Sequence, residues 1–238
     1  ILSRMNSNII FCEKDPSLTS RGLELITVPL LPKDAMSIKF WMPILKEVSK
    51  YSHSWDNSNC GLHIHIGRTI FKDGGKNDGE MIKKLAYFYY SEIQGKTINK
   101  LINGRSIGYN AAGLPTSTPE LSAVKEFKIK WNNKDIRNKV GNSLIKMLTS
   151  HSSTSRFNDI NITNSNTIEF RLGKGSINVN RIVCLVTYYV MMCNYVQYTS
   201  WSSLSLDGFE KFIIRNTSNR NPLSYTLCCG EPEITYGR

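Results

Sequence analysis

The sequence predicts an α+β fold in which a sheet buries one apolar face under helices and leaves the other, polar face open. Three observations predict it. Short segments alternate apolar and polar residues with the two-residue period of a strand. Longer segments between them carry apolar residues at helical spacing. The chain, at 238 residues, is also long enough for a proper buried core, with no internal repeat or linker composition to divide it. A single domain over residues 1–238 is therefore expected.

In RGLELIT, 21–27, Leu23 and Leu25 point one way and Glu24 the other. From 35 to 51, Ile38, Trp41, Leu45 and Val48 share one helical face, with Pro43 marking a kink or a delayed start. In GLHIHIG, 61–67, Leu62, Ile64 and Ile66 share a face, which leaves His63 and His65 together on the opposite one. A glycine- and aspartate-rich loop around 73–79 precedes a second helix over 79–94, and a third helix covers 134–150. In TIEFRL, 167–172, Ile168, Phe170 and Leu172 face the core and Thr167, Glu169 and Arg171 face away. The last helix predicted, 178–199, is capped by Asn178 or Asn180. Its apolar run at 182–196 is shorter than the ~20 residues that span a bilayer, so it reads as a buried helix, and no membrane is expected.

The net charge of +11 favours an anionic partner. The basic residues are dispersed and no DNA- or RNA-binding signature is visible, which disfavours nucleic acid. None of the six cysteines has C-x-x-C spacing, and Cys184 and Cys193 lie in an apolar segment. A reduced, cytoplasmic chain is the simplest expectation, with a secreted disulfide protein as the alternative. No signal peptide is expected. The chain begins at Ile1, as a fragment or processed form would.

If the three strand segments join one sheet, its open face carries Glu24, His63, His65, Glu169 and Arg171. The two imidazoles of an H-x-H strand stand roughly 6 to 7 Å apart on one side, so both can reach one ligand. Carboxylates from neighbouring strands would make mixed nitrogen and oxygen ligation, suited to zinc, manganese or magnesium. Arg171 adds a planar fork for a carboxylate or phosphate. Taken singly, H-x-H and E-x-R are more often a structurally satisfied histidine pair and a surface ion pair. Their joint occurrence on polar strand faces points to a site.

The ordered blocks DPSLTSRGLELITVPL (15–30), SNCGLHIHIG (58–67), INGRSIGYN (102–110) and NTIEFRLGKGSINVNRI (166–182) together resemble the amidoligases, carboxylate–amine ligases related to glutamine synthetase. The matching family patterns are D-x-S-L with G-x-E-L-V-x-P-P-L, then C-G-x-H-x-H, an Arg–Tyr segment, and T-I-E-F-R with G-T-L-N. Each block is modest in specificity, and their order is the stronger signal. They cover 15 to about 198; residues 199–238 form a C-terminal extension without a usable motif.

The resemblance implies a glutamine synthetase catalytic-domain-like fold, a curved and mainly antiparallel sheet with helices behind and metal-bound ATP on its open face. It implies ATP-dependent amide formation through an acyl phosphate, with a small-molecule or peptide carboxylate and an amine as substrates and Mg2+ or Mn2+ as the metal. Glu24, His63 and Glu169 are then the metal ligands, and His65 hydrogen-bonds an ATP phosphate. Arg171 holds the substrate carboxylate or acyl phosphate, Arg105 is a second anion clamp, and Arg156 contacts phosphate. Asp15 and Ser17 shape a turn.

Two departures bear on activity. Family members begin with a G-x-E-x-E strand, whereas the only acids before Glu24 are Glu13 and Asp15. ITVPL replaces the double-proline ending, and Gly175–Ser176 replaces Gly–Thr. A catalytically inactive or truncated relative that binds anions or nucleotides is the alternative, and a metal-dependent hydrolase the third reading. Sites of the glutamine synthetase type can form between subunits, so an oligomer is another source of the missing acids.

Overall fold

A computed structural model describes residues 9–14, 22–52, 60–104, 134–149, 159–217 and 221–223. The fold is α+β, as the alternating and helical segments require, but the described residues form two small antiparallel sheets rather than one. Strands β1 (Ile10–Lys14) and β2 (Leu23–Thr27) form a separate ribbon. Strands β3 (Gly61–Gly67), β4 (Ile160–Asn161) and β5 (Thr167–Lys174) form a second sheet in the order β3-β5-β4, with β5 in the centre. The predicted strands at 21–27, 61–67 and 167–172 all exist; the single sheet joining them does not.

The helices are α1 (Pro32–Ala35), α2 (Ile38–Val48), α3 (Glu80–Phe88), α4 (Thr97–Asn103), α5 (Lys134–Thr149), α6 (Val179–Tyr198) and α7 (Leu206–Asn216). The segment expected as one helix over 35–51 begins at Ile38. Ser37 has extended backbone there, and its hydroxyl accepts from Phe40 N. The helix then runs through Pro43, and Leu45 and Val48 are buried as the spacing requires. The helix expected over 79–94 is α-helical only to Phe88. It continues as a π-helical turn over Tyr89–Ile93, closed by Gln94 N donating to Tyr89 O at 2.7 Å.

Helix α6 is the axis of the core, with every residue from Arg181 to Cys193 buried. A helix that is apolar all round has no solvent face to keep. It is the one described helix long and apolar enough to cross a membrane, and 83% of that stretch is buried inside the protein. Asn178 caps it, accepting from Arg181 N at 3.2 Å. Its thiols Cys184 and Cys193 are free and buried, and burial pushes the Cys184 thiol up to about 12. They pack as small hydrophobes.

The apolar face of the β3-β5-β4 sheet lies against this helix. Ile64, Ile66, Ile168, Phe170 and Leu172 are buried, and the Phe170 ring stacks on Tyr189 with centroids 4.1 Å apart. Helix α7, which falls in the extension without a motif, closes the far side: Phe209 meets the rings of Phe88, Tyr188 and Tyr195. Arg68, at the end of β3, ties this sheet to its loops. Its guanidinium donates to the carbonyls of Gly75, Ile162, Asn164 and Thr167 and to Asn77 Oδ1.

Candidate functional site

Strands β3 and β5 build the site, and their register is broken once. His65 pairs with Glu169, Ile64 with Phe170 and Ile66 with Ile168, but the next pair is Leu62 with Gly173. Two residues of β5, Arg171 and Leu172, therefore stand opposite His63 alone. That is a β-bulge, which twists a strand and re-aims its side chains.

Alternation places His63, His65, Glu169 and Arg171 on one open face, His65 and Glu169 in the regular ladder and His63 and Arg171 at the bulge. Glu169 is at its centre. Its Oε1 accepts from Arg171 Nη1 at 2.5 Å, with His63 Nδ1 at 3.3 Å and His65 Nε2 at 3.7 Å from the same oxygen. Its Oε2 accepts from Asn161 Nδ2 on β4 at 2.8 Å. The carboxylate is thus nearly buried beneath more exposed imidazoles, the side chains of Glu169, His63 and His65 being 9%, 34% and 51% accessible. His65 also lies 3.5 Å from Thr167 Oγ1 through Nδ1. A carboxylate that orients one imidazole nitrogen leaves the other available to a ligand.

No protein-family model matches the chain, and no curated protein or solved structure is significantly similar to it.

Of the predicted site residues, His63, His65, Glu169 and Arg171 come together. Glu24 does not join their sheet. It lies on the separate ribbon, exposed and directly opposite Glu13 of β1. Alternation specifies which way a side chain faces but not which strand lies beside it, and β2 takes β1 as its hydrogen-bonded partner. Arg105 and Arg156, with Asp15 and Ser17, lie outside the described residues.

Two residues on this face escaped the sequence reading. Asn161 sits on a two-residue strand too short to show a period. Lys174 has the parity of the core-facing residues Ile168, Phe170 and Leu172, and only the bulge reverses it. Gly173 takes the inward position instead: a Cβ there would lie 3.3 Å from Leu62 Cβ and 3.6 Å from a methyl of Leu185. Lys174 consequently falls opposite Gly61 on the open side.

The donor set fits one divalent cation in part. Ligands bound at ~2.0–2.2 Å to a common metal lie about 3 to 3.5 Å from one another, close to the separations of His63 Nδ1 and His65 Nε2 from Glu169 Oε1. A cation on that oxygen would share it with Arg171. Among the described residues no group of three or more His, Cys, Asp or Glu has the arrangement of a metal cage. Magnesium commonly binds through one or two carboxylates and completes its shell with substrate phosphates and water, and one carboxylate is what these three strands offer.

Proposed function

We propose that the chain is an ATP-dependent carboxylate–amine ligase of the amidoligase type, with its site on the open face of the β3-β5-β4 sheet and a glutamine synthetase-like architecture around it. The convergence of His63, His65 and Arg171 on Glu169 supports this reading, because the matched sequence blocks imply these residues as one site. A divalent cation held by Glu169 and an imidazole would neutralise charge at the nucleotide phosphates.

The residues of the chain divide the remaining work. A carboxylate is a poor electrophile, so its oxygen must first attack the γ-phosphorus of ATP, releasing ADP and leaving an acyl phosphate. The amine then attacks the acyl carbon, phosphate departs, and the amine proton is lost to a base. Arg171 can hold the substrate carboxylate and stabilise the negative charge that accumulates during transfer. His65, the more exposed imidazole, can donate to a phosphate oxygen. Glu169 fixes the orientation of His63 and Arg171, and Asn161 fixes that of Glu169.

A nucleotide-binding protein without turnover is the second reading, favoured by one observation: Glu169 is the single carboxylate on strands β3, β4 and β5, since Glu24 lies on the other sheet. The test is release of ADP and phosphate by the purified protein given ATP, Mg2+ or Mn2+, and a panel of carboxylates and amines. Ligase activity requires both substrates and the metal, and yields an amide detectable by mass. Failure to bind ATP with metal present overturns both readings; binding without turnover selects the second.

A further inference from the structure

Three residues stand in one row across the open face. His65 on β3 pairs with Glu169 on β5, and Glu169 pairs with Asn161 on β4. Cross-strand partners share a face. The first two are ordinary metal-binding types, but the third position holds an amide where an aspartate of the same length would supply a second carboxylate.

The amide of Asn161 is held in one orientation. Its Oδ1 accepts from Thr163 N at 2.9 Å and from Thr163 Oγ1 at 2.8 Å. A backbone N–H donates and cannot accept, so the oxygen is the end that must meet it. The other end, Nδ2, is thereby aimed at Glu169 and donates to Oε2 at 2.8 Å. Turning the amide over would set donor against donor at Thr163 and acceptor against acceptor at Glu169. An asparagine carbonyl can serve as a cation ligand, but here Asn161 presents its N–H hydrogens to the carboxylate and keeps its oxygen for Thr163.

The consequence is electrostatic. Glu169 Oε2 accepts from Asn161 and Oε1 from Arg171. A bare divalent cation therefore meets one carboxylate, the positive edge of an amide and a guanidinium, with no second acid on these strands to hold it. A cation that already carries a polyphosphate meets the same groups on better terms. Phosphate oxygens complete its shell, and Arg171 matches their charge.

We propose that Asn161 is a specificity-determining residue: its amide keeps a bare divalent cation off Glu169 and leaves the face to a cation delivered on a polyphosphate. The inference rests on the nucleotide-dependent reading above and adds to it how the metal arrives. Thr163 acts as a positioning residue, since its two donors decide which end of the amide faces the carboxylate.

The experiment is calorimetric titration of the full chain with MnCl2 alone, with Mn2+–ATP and with Mn2+–tripolyphosphate. It compares the wild type with Asn161→Asp, Asn161→Ala and the double variant Asn161→Asp/Glu169→Gln, and thermal melts check that each is folded. The wild type should bind both polyphosphate complexes at least about 10-fold more tightly than bare Mn2+. Asn161→Asp puts a second carboxylate in the row and should tighten bare Mn2+ about 10-fold, the effect of roughly one further charged contact. The double variant should lose that gain, because the ion then has one carboxylate again. Asn161→Ala removes the donor without adding charge and should tighten bare Mn2+ by a smaller factor; it carries the comparison if Asn161→Asp does not fold. A wild type that binds bare Mn2+ as tightly as its complexes, or a bare-ion affinity unchanged in the folded variants, overturns the inference. If Asn161→Asp gains bare Mn2+ while the wild type binds neither complex, the exclusion of bare cations by Asn161 stands and the nucleotide reading falls. If the wild type forms amide yet already holds bare Mn2+ as tightly as Asn161→Asp does, the ligase reading stands and the role of Asn161 falls.

Discussion

Two glutamates sit at the middle of antiparallel ladders in this protein, and their surroundings are opposite. Glu169 on β5 has a helix-backed sheet behind it, a guanidinium and an amide donating to its two oxygens, and two imidazoles within 3.7 Å. Glu24 on β2 is exposed and faces another glutamate across the ribbon. The first carboxylate is nearly withdrawn from water and compensated; the second relies on water. Low dielectric strengthens the contacts of the first and makes their removal costly, whereas solvent weakens any contact of the second. If function resides on the compensated face, substitutions there should change both activity and stability, and substitutions on the ribbon should change little of either.

The largest effect expected is from Glu169→Gln. The amide preserves the shape but not the charge that Arg171 and the imidazoles face. Ligase turnover should fall by at least ~100-fold, as when a group that organises transition-state donors is lost, and stability by about 2 kcal/mol. Steady-state rates and denaturant melts measure the two. Full activity in Glu169→Gln would remove this face from the chemistry. Arg171→Met is expected to cost about 2 kcal/mol as well, because it leaves a poorly exposed carboxylate without its cation, and Asn161 alone does not replace it. An unfolding midpoint unchanged from wild type would mean that water already compensates Glu169.

The same difference explains what could be read from the sequence. In GLHIHIG and TIEFRL the alternation is strict and most of the apolar residues are β-branched or aromatic, so both strands and the face of each histidine, Glu169 and Arg171 were legible. Which strands are neighbours was not, because a face is a local property and pairing is not. The partner of β2 is IFCEK, whose three leading apolar or small residues and two trailing charges show no strand period. Lys174 was hidden by the bulge, since a two-residue period extrapolated from Glu169 puts it on the wrong side. Helix α7 did carry a signal, Ser205 as cap with Phe209 and Ile213 inward, but Gly208 interrupts its first turn.

A third carboxylate offers a control, because it is buried and pairs with no cation among the described residues. Asp159 lies just before β4, with its backbone carbonyl accepting from Arg171 N and its Oδ2 accepting from Tyr89 at 2.9 Å. Burial pushes its carboxyl up to about 6, against the opposing hydrogen bonds from Tyr89 and Gln94. The raised value means that the folded chain keeps a proton which the unfolded chain releases. Stability is therefore lost as pH rises from about 4 through about 6, and the full penalty persists above. Asp159→Asn should be neutral near pH 4 and stabilising by up to about 3 kcal/mol at pH 8, read as the difference between melts at the two values. An equal shift at both would assign the effect to packing rather than to charge.

The smallest effect belongs to the ribbon and decides whether its acids are idle. Like charges directly opposite on an antiparallel pair repel by a few tenths of a kcal/mol in water. Glu24→Gln and Glu13→Gln should each therefore be neutral or stabilising by less than ~0.5 kcal/mol. The double substitution should gain no more than either one, because the repulsion is removed once. Under the ligase reading a metal-bound Glu24 predicts the reverse in the presence of Mn2+: the wild type would gain thermal stability from the ion and Glu24→Gln would not. Melts with and without Mn2+ on these variants and on Glu169→Gln separate the cases. Stabilisation by Mn2+ that Glu169→Gln abolishes and Glu24→Gln leaves intact would locate cation binding on the β3-β5-β4 sheet alone, whereas loss in both variants would require the ribbon to close over that face when the ion binds.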